Sequence, residues 1–481
     1  MPDVLIAQLP SPPRRTVFRE WAGGMGTALA SARQEYGHDQ KYYDIPYSAY
    51  LYIARQLEQI GLPYAYRDFQ AAETLPLADF DAAVAAVAPR VLITQINLPS
   101  LGADLELLRR ARAAAPGLQI ILLGATAKWF KARMLSEGHA DVVVEENEEL
   151  VAADISAALL SGDETGLQAC SVWRDGAMRI LPARSKMTTL DFVDFPAYEL
   201  LDFSRYESDY YLETKYRYAT VFTTKGCPYK CGYCPYPFGF GKRLVYRSPA
   251  RVGADIERLH KEFGVGQILF RDQVFTINPN HARGVCEELI RRNLDIVWIC
   301  ETRYDTVDEE MLRLMYRAGC REVHFGLESG DPDMFANVAK SDGPQSLELF
   351  QKVIGWARDA GMRVHLHCIV GMPDESWNSV RNTTRFLRSV KPDSAQLAYF
   401  VPYPGTPLYA ELAQSKQLGD VTALDWEALG SFTDPVLPTR HMSVDEVRRA
   451  RNRIAVDWQF TIADRIWRKM RRTLGLARRA A

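Results

Sequence analysis

The chain has no apolar run that approaches 18 residues, so we expect no segment that spans a membrane. It also lacks an excess of either charge, since 58 Lys and Arg residues against 60 Asp and Glu residues leave a net charge of −2. Such a chain offers no general electrostatic attraction to nucleic acid, and we expect no nucleic-acid partner. No basic stretch precedes the short N-terminal apolar run, which we interpret as a first strand and not as a signal peptide.

Cysteine is sparse, and most of it is isolated. Five of the eight cysteines stand singly in apolar stretches, at positions 170, 286, 300, 320 and 368. This distribution argues against a disulfide framework and predicts reduced thiols in the cytoplasm.

The other three cysteines, Cys227, Cys231 and Cys234, have C-x3-C-x2-C spacing directly after a predicted strand, residues 219–224. Thiolates at this spacing can converge on one metal centre. A structural zinc site is disfavoured, because it needs four ligands and no other Cys or His lies within thirty residues of Cys227. Three cysteines suit a 4Fe–4S cluster and leave one of its four irons without a protein ligand.

Residues 226–235, Gly-Cys-Pro-Tyr-Lys-Cys-Gly-Tyr-Cys-Pro, resemble the cluster loop of the radical S-adenosylmethionine (SAM) enzymes. The resemblance implies that the open iron binds the amino and carboxylate groups of SAM, with Tyr233 near the adenine. It also implies reductive cleavage of SAM to methionine and a 5′-deoxyadenosyl radical, which abstracts hydrogen from an unactivated carbon. An external one-electron reductant of the flavodoxin or ferredoxin type would supply the electron.

Ahead of this loop, strands and helices alternate over residues 1–160. Predicted strands cover 4–9, 64–68, 91–96, 119–123 and 141–144, and predicted helices cover 47–60, 80–88, 104–115, 127–136 and 148–160. This alternation predicts an α/β, doubly wound, Rossmann-like parallel sheet. Ligands of such sheets bind beyond the carboxyl ends of the strands.

A doubly wound domain before a cluster loop resembles the cobalamin-binding domain of the cobalamin-dependent radical SAM enzymes. The resemblance implies corrin contacts at Thr94, Asn97, Gly124 and Thr126. The local motifs differ, because Leu-Gly-Ala-Thr stands at 123–126 where the family often has Gly-Gly-Pro-His, and no Asp-x-His-x-x-Gly occurs. A degenerate domain that binds nothing is the alternative. The glycine-rich stretch 23–44 is either a loop over the active site or a mobile surface loop.

The second half repeats strand and helix again. We predict strands at 219–224, 267–271, 295–300, 322–327, 363–370 and 394–400. We predict helices between them at 249–262, 279–292, 308–318, 346–360 and 376–390. Six parallel strands with outer helices make a partial (β/α)6 barrel of the TIM type. The predicted domains are 1–160, a linker with a hairpin at 161–215, the barrel at 216–410 and a helical region with a basic tail at 411–481.

Polar residues cluster at the predicted carboxyl ends of the barrel strands, where barrel chemistry takes place. The motifs there resemble those of the radical SAM enzymes, and the resemblance implies two sets of site residues. The catalytic residues would be Glu301, His367 and Asp272, and the cofactor contacts Tyr233, Gln273, Glu301, Arg303, Glu328, Ser329, His365, His367 and Tyr399. The alternative is a set of salt bridges and hydrogen-bonded core histidines.

Three functions compete on these residues. The first is a cobalamin-dependent methyltransferase acting on an unactivated carbon, and the second is a radical SAM enzyme that cyclises, rearranges or couples without methyl transfer. The third is a non-catalytic metal-binding scaffold. A non-catalytic scaffold needs no polar residues around its metal site, so the polar residues at the strand ends disfavour this third function.

The C-terminal region combines an apolar stripe with a basic end. Apolar residues recur every four positions from Ile454 to Leu474, and seven Lys and Arg residues without an acid occupy 465–479. One interpretation is a helix on the anionic inner face of the membrane, which predicts an apolar substrate such as an isoprenoid, a lipid or a tetrapyrrole. The other is a helix packed on the barrel with a solvated basic end.

Overall fold

The computed structural model describes residues 2–12, 16–29, 47–70, 77–204, 217–338, 346–428 and 430–459. The predictions for residues 30–44 and for the basic tail at 465–479 lie outside the described residues. Within the described residues, no helix is both long enough and apolar enough to cross a membrane.

A seven-stranded sheet forms the N-terminal half. Its strands are β1 (Val4–Gln8), β4 (Tyr64–Asp68), β5 (Val91–Gln95), β6 (Gln119–Leu123), β7 (Val142–Val144), β8 (Cys170–Arg174) and β9 (Ala177–Leu181), in the order β4-β1-β5-β6-β7-β8-β9. The first five in this order are parallel, which confirms the predicted Rossmann-like sheet. The hairpin that we placed in the linker extends this sheet, because β8 pairs antiparallel with β7.

Helices cover both faces of this sheet, which explains why its central strands are apolar along their whole length. The helices are α2 (Ala49–Gln59), α3 (Leu77–Val87), α4 (Leu101–Ala114), α5 (Gly124–Trp129), α6 (Lys131–Ser136) and α7 (Glu148–Ser161). The single helix predicted at 127–136 is therefore two, separated at Phe130, where the backbone leaves the helical region.

A short segment lies on the carboxyl edge of this sheet. It contains the strands β2 (Thr16–Phe18) and β3 (Thr27–Leu29), which pair antiparallel. Between them lies the single turn α1 (Trp21–Gly24), in which Ala22 and Gly23 have left-handed backbone angles, with φ values of +55° and +66°. Gly24 and Gly26 have φ values of +88° and +81°, which glycine adopts without strain. We call residues 19–29, which follow β2 and include α1 and β3, the cover segment. It includes the first part of the predicted 23–44 loop.

A six-stranded, all-parallel sheet forms the partial barrel and confirms that prediction. Its strands, in spatial and chain order, are β10 (Arg217–Val221), β13 (Val265–Phe270), β14 (Val297–Thr302), β15 (Cys320–Glu328), β16 (Arg363–Val370) and β17 (Ser394–Tyr399). A small hairpin of β11 (Thr224–Lys225) and β12 (Val245–Tyr246) brackets the cysteines.

The outer helices of the barrel begin with capping side chains, as at Asn278, Asp308 and Ser346, whose oxygens accept backbone N–H groups of the first turn. The helices after the cysteines are α8 (Tyr236–Gly239), α9 (Pro249–Phe263), α10 (Pro279–Arg292), α11 (Glu309–Arg317), α12 (Pro332–Val338), α13 (Leu347–Asp359), α14 (Trp377–Val390), α15 (Pro407–Ser415) and α16 (Val444–Gln459). Helix α16 buries Val447, Ala450 and Ile454 in the main core, so the described part of the C-terminal helix packs on the barrel.

Candidate functional site

A cavity of about 240 Å³ opens between the carboxyl ends of the barrel strands and the cover segment. All three predicted metal ligands, Cys227, Cys231 and Cys234, line it. So do seven of the residues predicted to contact cofactors or to act in catalysis, namely Tyr233, Gln273, Glu301, Arg303, Glu328, His367 and Tyr399. The fold therefore brings together residues that lie up to 172 positions apart in the sequence, from 227 to 399.

The cysteine loop, residues 226–235, is held by backbone contacts at both ends. Cys227 N–H donates to the Gly241 oxygen at 3.0 Å, and Leu408 N–H donates to the Gly232 oxygen at 2.9 Å. Gly226 has a φ of +92°, and a Cβ there would collide with the backbone oxygen of Arg243. The loop thus needs glycine at this position to turn from β11 towards the cavity.

The three thiols suit an iron–sulfur cluster in number and in placement. They face one cavity, and burial raises the pKa of Cys231 to about 11, so a metal is needed to hold it as a thiolate at neutral pH. Three thiolate ligands fill three of the four iron positions of a 4Fe–4S cluster. The chemistry of this donor set fits the predicted cluster.

Glu328 lies at the cysteine end of the cavity in an unusual backbone conformation. Its φ of +59° is rare for a residue with a side chain, and such conformations are concentrated at functional sites. Its Oε1 accepts a 2.7 Å hydrogen bond from the Tyr233 hydroxyl. Burial raises the pKa of Glu328 to about 7, although the hydrogen bond from Tyr233 opposes this rise. The carboxyl group can therefore gain or lose a proton near neutral pH.

Two charged groups flank Glu328 in the cavity wall. The Arg303 guanidinium donates two hydrogen bonds to Asp305, at 2.8 and 2.7 Å, and lies 4.3 Å from the ring centroid of Tyr229. The Glu301 carboxylate lies 3.5 Å from the Arg271 guanidinium. Positive and negative groups thus stand side by side, as an amino acid ligand with its ammonium and carboxylate requires.

Three histidines pack against one another behind this end of the cavity. We predicted His365 and His367, whereas we missed His324, whose ring centroid lies 4.5 Å from that of His365. Burial lowers the pKa of His367 to about 4 and that of His365 well below its usual value, so both are neutral at pH 7. His324 and Glu328 both occupy even-numbered positions of β15, and alternate residues of a strand face the same side. This alternation was the sequence signal that the His324 side chain points inwards.

Besides His365, two residues predicted at the barrel site, Asp272 and Ser329, lie outside the cavity wall. Asp272 is buried, and its carboxylate accepts hydrogen bonds from the backbone and hydroxyl groups of Thr223 and Thr224, so it fixes the strand-to-loop turn. Burial raises the pKa of Asp272 to about 6, although the hydrogen bonds from Thr223 and Thr224 act to lower it. Ser329 bonds to Thr383 at 3.1 Å. These contacts fit a role for Asp272 in positioning the cysteine loop better than the catalytic role that we predicted.

The four predicted corrin contacts are all buried beneath or beside the cover segment. Asn97 donates to the oxygens of Arg19 and Gly24, at 2.9 and 3.0 Å, and Thr126 donates to Met25 at 3.4 Å.

The remaining two contacts have partners within the sheet domain. Thr94 donates to the Ala7 oxygen at 2.7 Å, and Gly124 N–H donates to Glu148 at 3.1 Å. A Cβ at Gly24 would lie 2.8 Å from the Gln95 amide. The groups that we predicted to contact a corrin are therefore already bound to other residues of this chain.

The cover segment also joins the two halves and forms part of the cavity wall, through Trp21 and Ala22. Ser431 N–H donates to the Thr27 hydroxyl at 2.9 Å. A second link between the halves is the buried ion pair of Lys225 with Glu149. The sequence left open whether residues 23–44 lie over the active site. It did not predict Trp21 and Ala22 as wall residues, because partners of this segment lie up to 404 residues away.

Comparison with known proteins gives the same assignment. Residues 221–387 match the family model of the Radical SAM superfamily. An uncharacterized methyltransferase of Pyrococcus horikoshii is 30% identical over 311 residues, which are 64% of this chain and 65% of that protein. The anaerobic magnesium-protoporphyrin IX monomethyl ester cyclase of Rubrivivax gelatinosus is 28% identical over 275 residues, 57% of this chain and 47% of that protein.

Two solved structures share the fold along almost the whole chain. The radical SAM methyltransferase TsrM of Kitasatospora setae, solved with cobalamin and a [4Fe–4S] cluster, has a TM-score of 0.68 at 16% identity and covers 92% of this chain and 84% of its own. The cobalamin-dependent SAM radical enzyme OxsB has a TM-score of 0.61 at 13% identity and covers 94% of this chain and 61% of its own.

The chain spans about half to two thirds of the length of the curated relatives it matches. The matched region begins at Val221, the last residue of β10, and ends in helix α14, which precedes β17. The protein therefore contains a domain of the radical SAM superfamily, which uses a 4Fe–4S cluster and SAM, within the two-domain fold shared by TsrM and OxsB.

Proposed function

We propose that this protein is a radical SAM enzyme that transfers a methyl group to an unactivated carbon of an apolar small molecule. The observation that carries this proposal is the single cavity that joins the three cysteines to paired acidic and basic groups and to an aromatic wall. When bound, the reduced cluster and SAM supply one-electron cleavage of a carbon–sulfur bond. A donor of the flavodoxin or ferredoxin type would supply the electron.

The charged end of the cavity suits the amino acid part of SAM. We assign the carboxylate of Glu328 to accept a hydrogen bond from the amino group and the guanidinium of Arg303 to bind the carboxylate group, since Arg can hold a carboxylate with two hydrogen bonds. Asp305 and the Tyr229 ring keep Arg303 in place, and the Tyr233 hydroxyl orients Glu328.

The opposite wall suits an apolar substrate. It consists largely of apolar and aromatic side chains, among them Trp21, Ala22, Phe400, Val401 and Tyr403. Such a wall excludes water and binds hydrocarbon surface. Relatives that act on apolar molecules include the hopanoid C-3 methylase of Methylococcus capsulatus and two bacteriochlorophyllide methyltransferases of Chlorobaculum tepidum. Isoprenoid and tetrapyrrole substrates are therefore the first to test.

Cobalamin is the methyl carrier that the fold suggests, because TsrM was solved with it and OxsB is named as dependent on it. In this chain the cover segment lies on the edge where a corrin would bind. A corrin can contact Asn97 and Thr126 only after residues 19–29 have moved, because this segment accepts hydrogen bonds from both side chains.

Cyclisation without methyl transfer is the second candidate. It is favoured by the two anaerobic cyclases among the relatives, one of which aligns with 75% of this chain, and by the covered corrin edge. Both candidates share reductive cleavage of one SAM to methionine, which keeps its methyl group. Methyl transfer also consumes a second SAM, which gives up its methyl group and leaves S-adenosylhomocysteine.

Anaerobic turnover with dithionite and SAM labelled at the methyl carbon separates them. For methyl transfer, label enters an isoprenoid or tetrapyrrole substrate, whereas cyclisation releases all the label as methionine. Changing the three cysteines to Ala must abolish SAM cleavage in either case. Cleavage that persists in this variant would contradict the radical SAM proposal itself.

Hydroxocobalamin binding tests the corrin edge separately. If cobalamin serves the reaction, the desalted protein keeps one corrin, and backbone amides of residues 19–29 exchange hydrogen faster than before. A bound corrin with unchanged exchange in the cover segment would refute the requirement that this segment moves. No bound corrin would favour the cyclase.

A further inference from the structure

The histidine triad, His324, His365 and His367, forms a compact cluster of metal-ligating groups apart from the cysteines. His324 and His365 are register partners on β15 and β16, and His367 follows on the same face of β16. One ring nitrogen of each residue can be chosen so that the three atoms lie within 4.8 Å of one another. His324 and His367 also line the main cavity, so the cluster can be reached from it.

Each imidazole is oriented through one of its ring nitrogens. The Nδ1 of His365 lies 2.6 Å from the Ser394 hydroxyl, and the Nδ1 of His367 lies 3.0 Å from the Gln396 side-chain oxygen. The Nε2 of His324 lies 2.7 Å from a Glu322 carboxylate oxygen. Hydroxyl, amide and carboxylate partners of this kind fix the tautomer and the ring direction of metal-bound histidines.

The opposite nitrogens of two of these rings have no hydrogen-bond partner within the described part of the chain. They are the Nε2 atoms of His365 and His367, and both are buried. His365 is only 4% exposed, so bulk water does not reach most of its side chain. A buried polar atom without a partner is unfavourable. A bound ion would remove that cost at both atoms.

We propose that the histidine triad binds a divalent first-row transition metal ion, of which Zn²⁺ is the test case, with its remaining coordination position open to the main cavity. Imidazole nitrogen is a preferred ligand of Zn²⁺, and sites with three protein ligands keep a position for an exogenous group. Zn–N bonds of about 2.1 Å place tetrahedral ligand atoms about 3.4 Å apart, so the rings need only small rotations to close on the ion.

The open position would take an oxygen or nitrogen donor of the substrate. The triad lies on the amino-terminal side of Glu328 along β15, hence deeper in the barrel than the groups assigned to SAM. A metal there would anchor a polar group of an otherwise apolar molecule and so fix which of its carbons faces the cysteine end.

Metal analysis of the anaerobically reconstituted holoenzyme tests the proposal. After dialysis against micromolar Zn²⁺, we expect one Zn²⁺ per chain in addition to the cluster iron, with X-ray absorption at the zinc edge showing nitrogen and oxygen but no sulfur neighbours. The double variant His365→Gln and His367→Gln should lose the zinc and keep the iron. The matched control His139→Gln changes a histidine that faces Glu137 on the surface and should keep both.

Ser394→Ala gives a milder test, because it removes only the partner of His365. Loss of such a partner weakens metal binding roughly 10–100-fold. No zinc in the wild-type holoenzyme, zinc with sulfur neighbours, or zinc retained by the double variant would each overturn the proposal. These readouts do not depend on turnover, so they stand whether or not the proposed methyl transfer is found.

Discussion

A buried ion pair between Arg19 and Asp104 anchors the cover segment, and its removal should be costly. The two side chains are 1% and 0% exposed and are joined by hydrogen bonds of 3.0 and 2.9 Å. Arg19 also donates to Asn97 and to the backbone oxygens of Leu9 and Pro10, so it ties the segment to the sheet edge at several points.

Arg19→Met removes these bonds and leaves the Asp104 carboxylate buried without its counter-charge. Breaking one partner of a buried pair costs about 3–5 kcal/mol, chiefly because the remaining charge is uncompensated. Two donors to Asp104 remain, the Asn97 backbone N–H at 3.0 Å and the Ser100 hydroxyl at 2.7 Å. We therefore expect a loss of stability in the lower part of this range of about 3–5 kcal/mol. The double change Arg19→Met and Asp104→Leu removes the stranded charge and should recover much of the loss.

Urea unfolding measures this change as a shift of the midpoint at constant slope. The matched control is Arg109→Met in the same half, because Arg109 pairs with Glu106 on the surface and such pairs contribute little. If Arg19→Met destabilises no more than Arg109→Met, or if the double variant is less stable than the single one, the cover segment is not anchored as described.

Further expectations concern the cavity, the cysteine loop and the tail. Because the pKa of Glu328 is raised to about 7, its carboxylate forms as pH rises through 7, so SAM should bind more tightly at pH 8 than at pH 6. Glu328→Gln should weaken binding and flatten this dependence in a titration, and an unchanged profile would remove Glu328 from the SAM site. Gly226→Ala should lower the iron content after reconstitution, because its Cβ meets the Arg243 backbone. Gly419→Ala is the matched control and should keep the iron, because Gly419 has a similar φ of +98° but open space around it and lies outside the cysteine loop. Equal iron in both variants would contradict the packing argument. If the basic tail lies on an anionic membrane, deletion of residues 460–481 should abolish sedimentation with anionic liposomes at low salt. No binding by the intact chain would favour the packed helix.

Much of the fold could be predicted because its signals are local. Strands Tyr64–Asp68, Gln119–Leu123 and Arg363–Val370 and helix Pro279–Arg292 have the predicted bounds, since apolar periodicity and flanking Gly, Asp or Pro define them. The cysteine spacing is likewise a local feature.

What escaped prediction depends on contacts between distant residues. The cover segment meets Asn97 and Ser431 through glycine conformations that no periodicity reveals. Asp272 has the right position at a strand end, but the threonines that bind its carboxylate follow another strand. The hairpin after residue 169 has a clear turn signal, yet nothing local shows that it joins the first sheet.

The central claim is that Cys227, Cys231 and Cys234 hold a cluster with one open iron beside a SAM site. Low-temperature electron paramagnetic resonance of the dithionite-reduced protein tests it most directly, with about four irons per chain as the starting condition. We expect the signal of a reduced 4Fe–4S cluster that changes its g values on addition of SAM, and no such signal in the triple Ala variant. A signal that SAM leaves unchanged, or one that survives in that variant, would contradict the account.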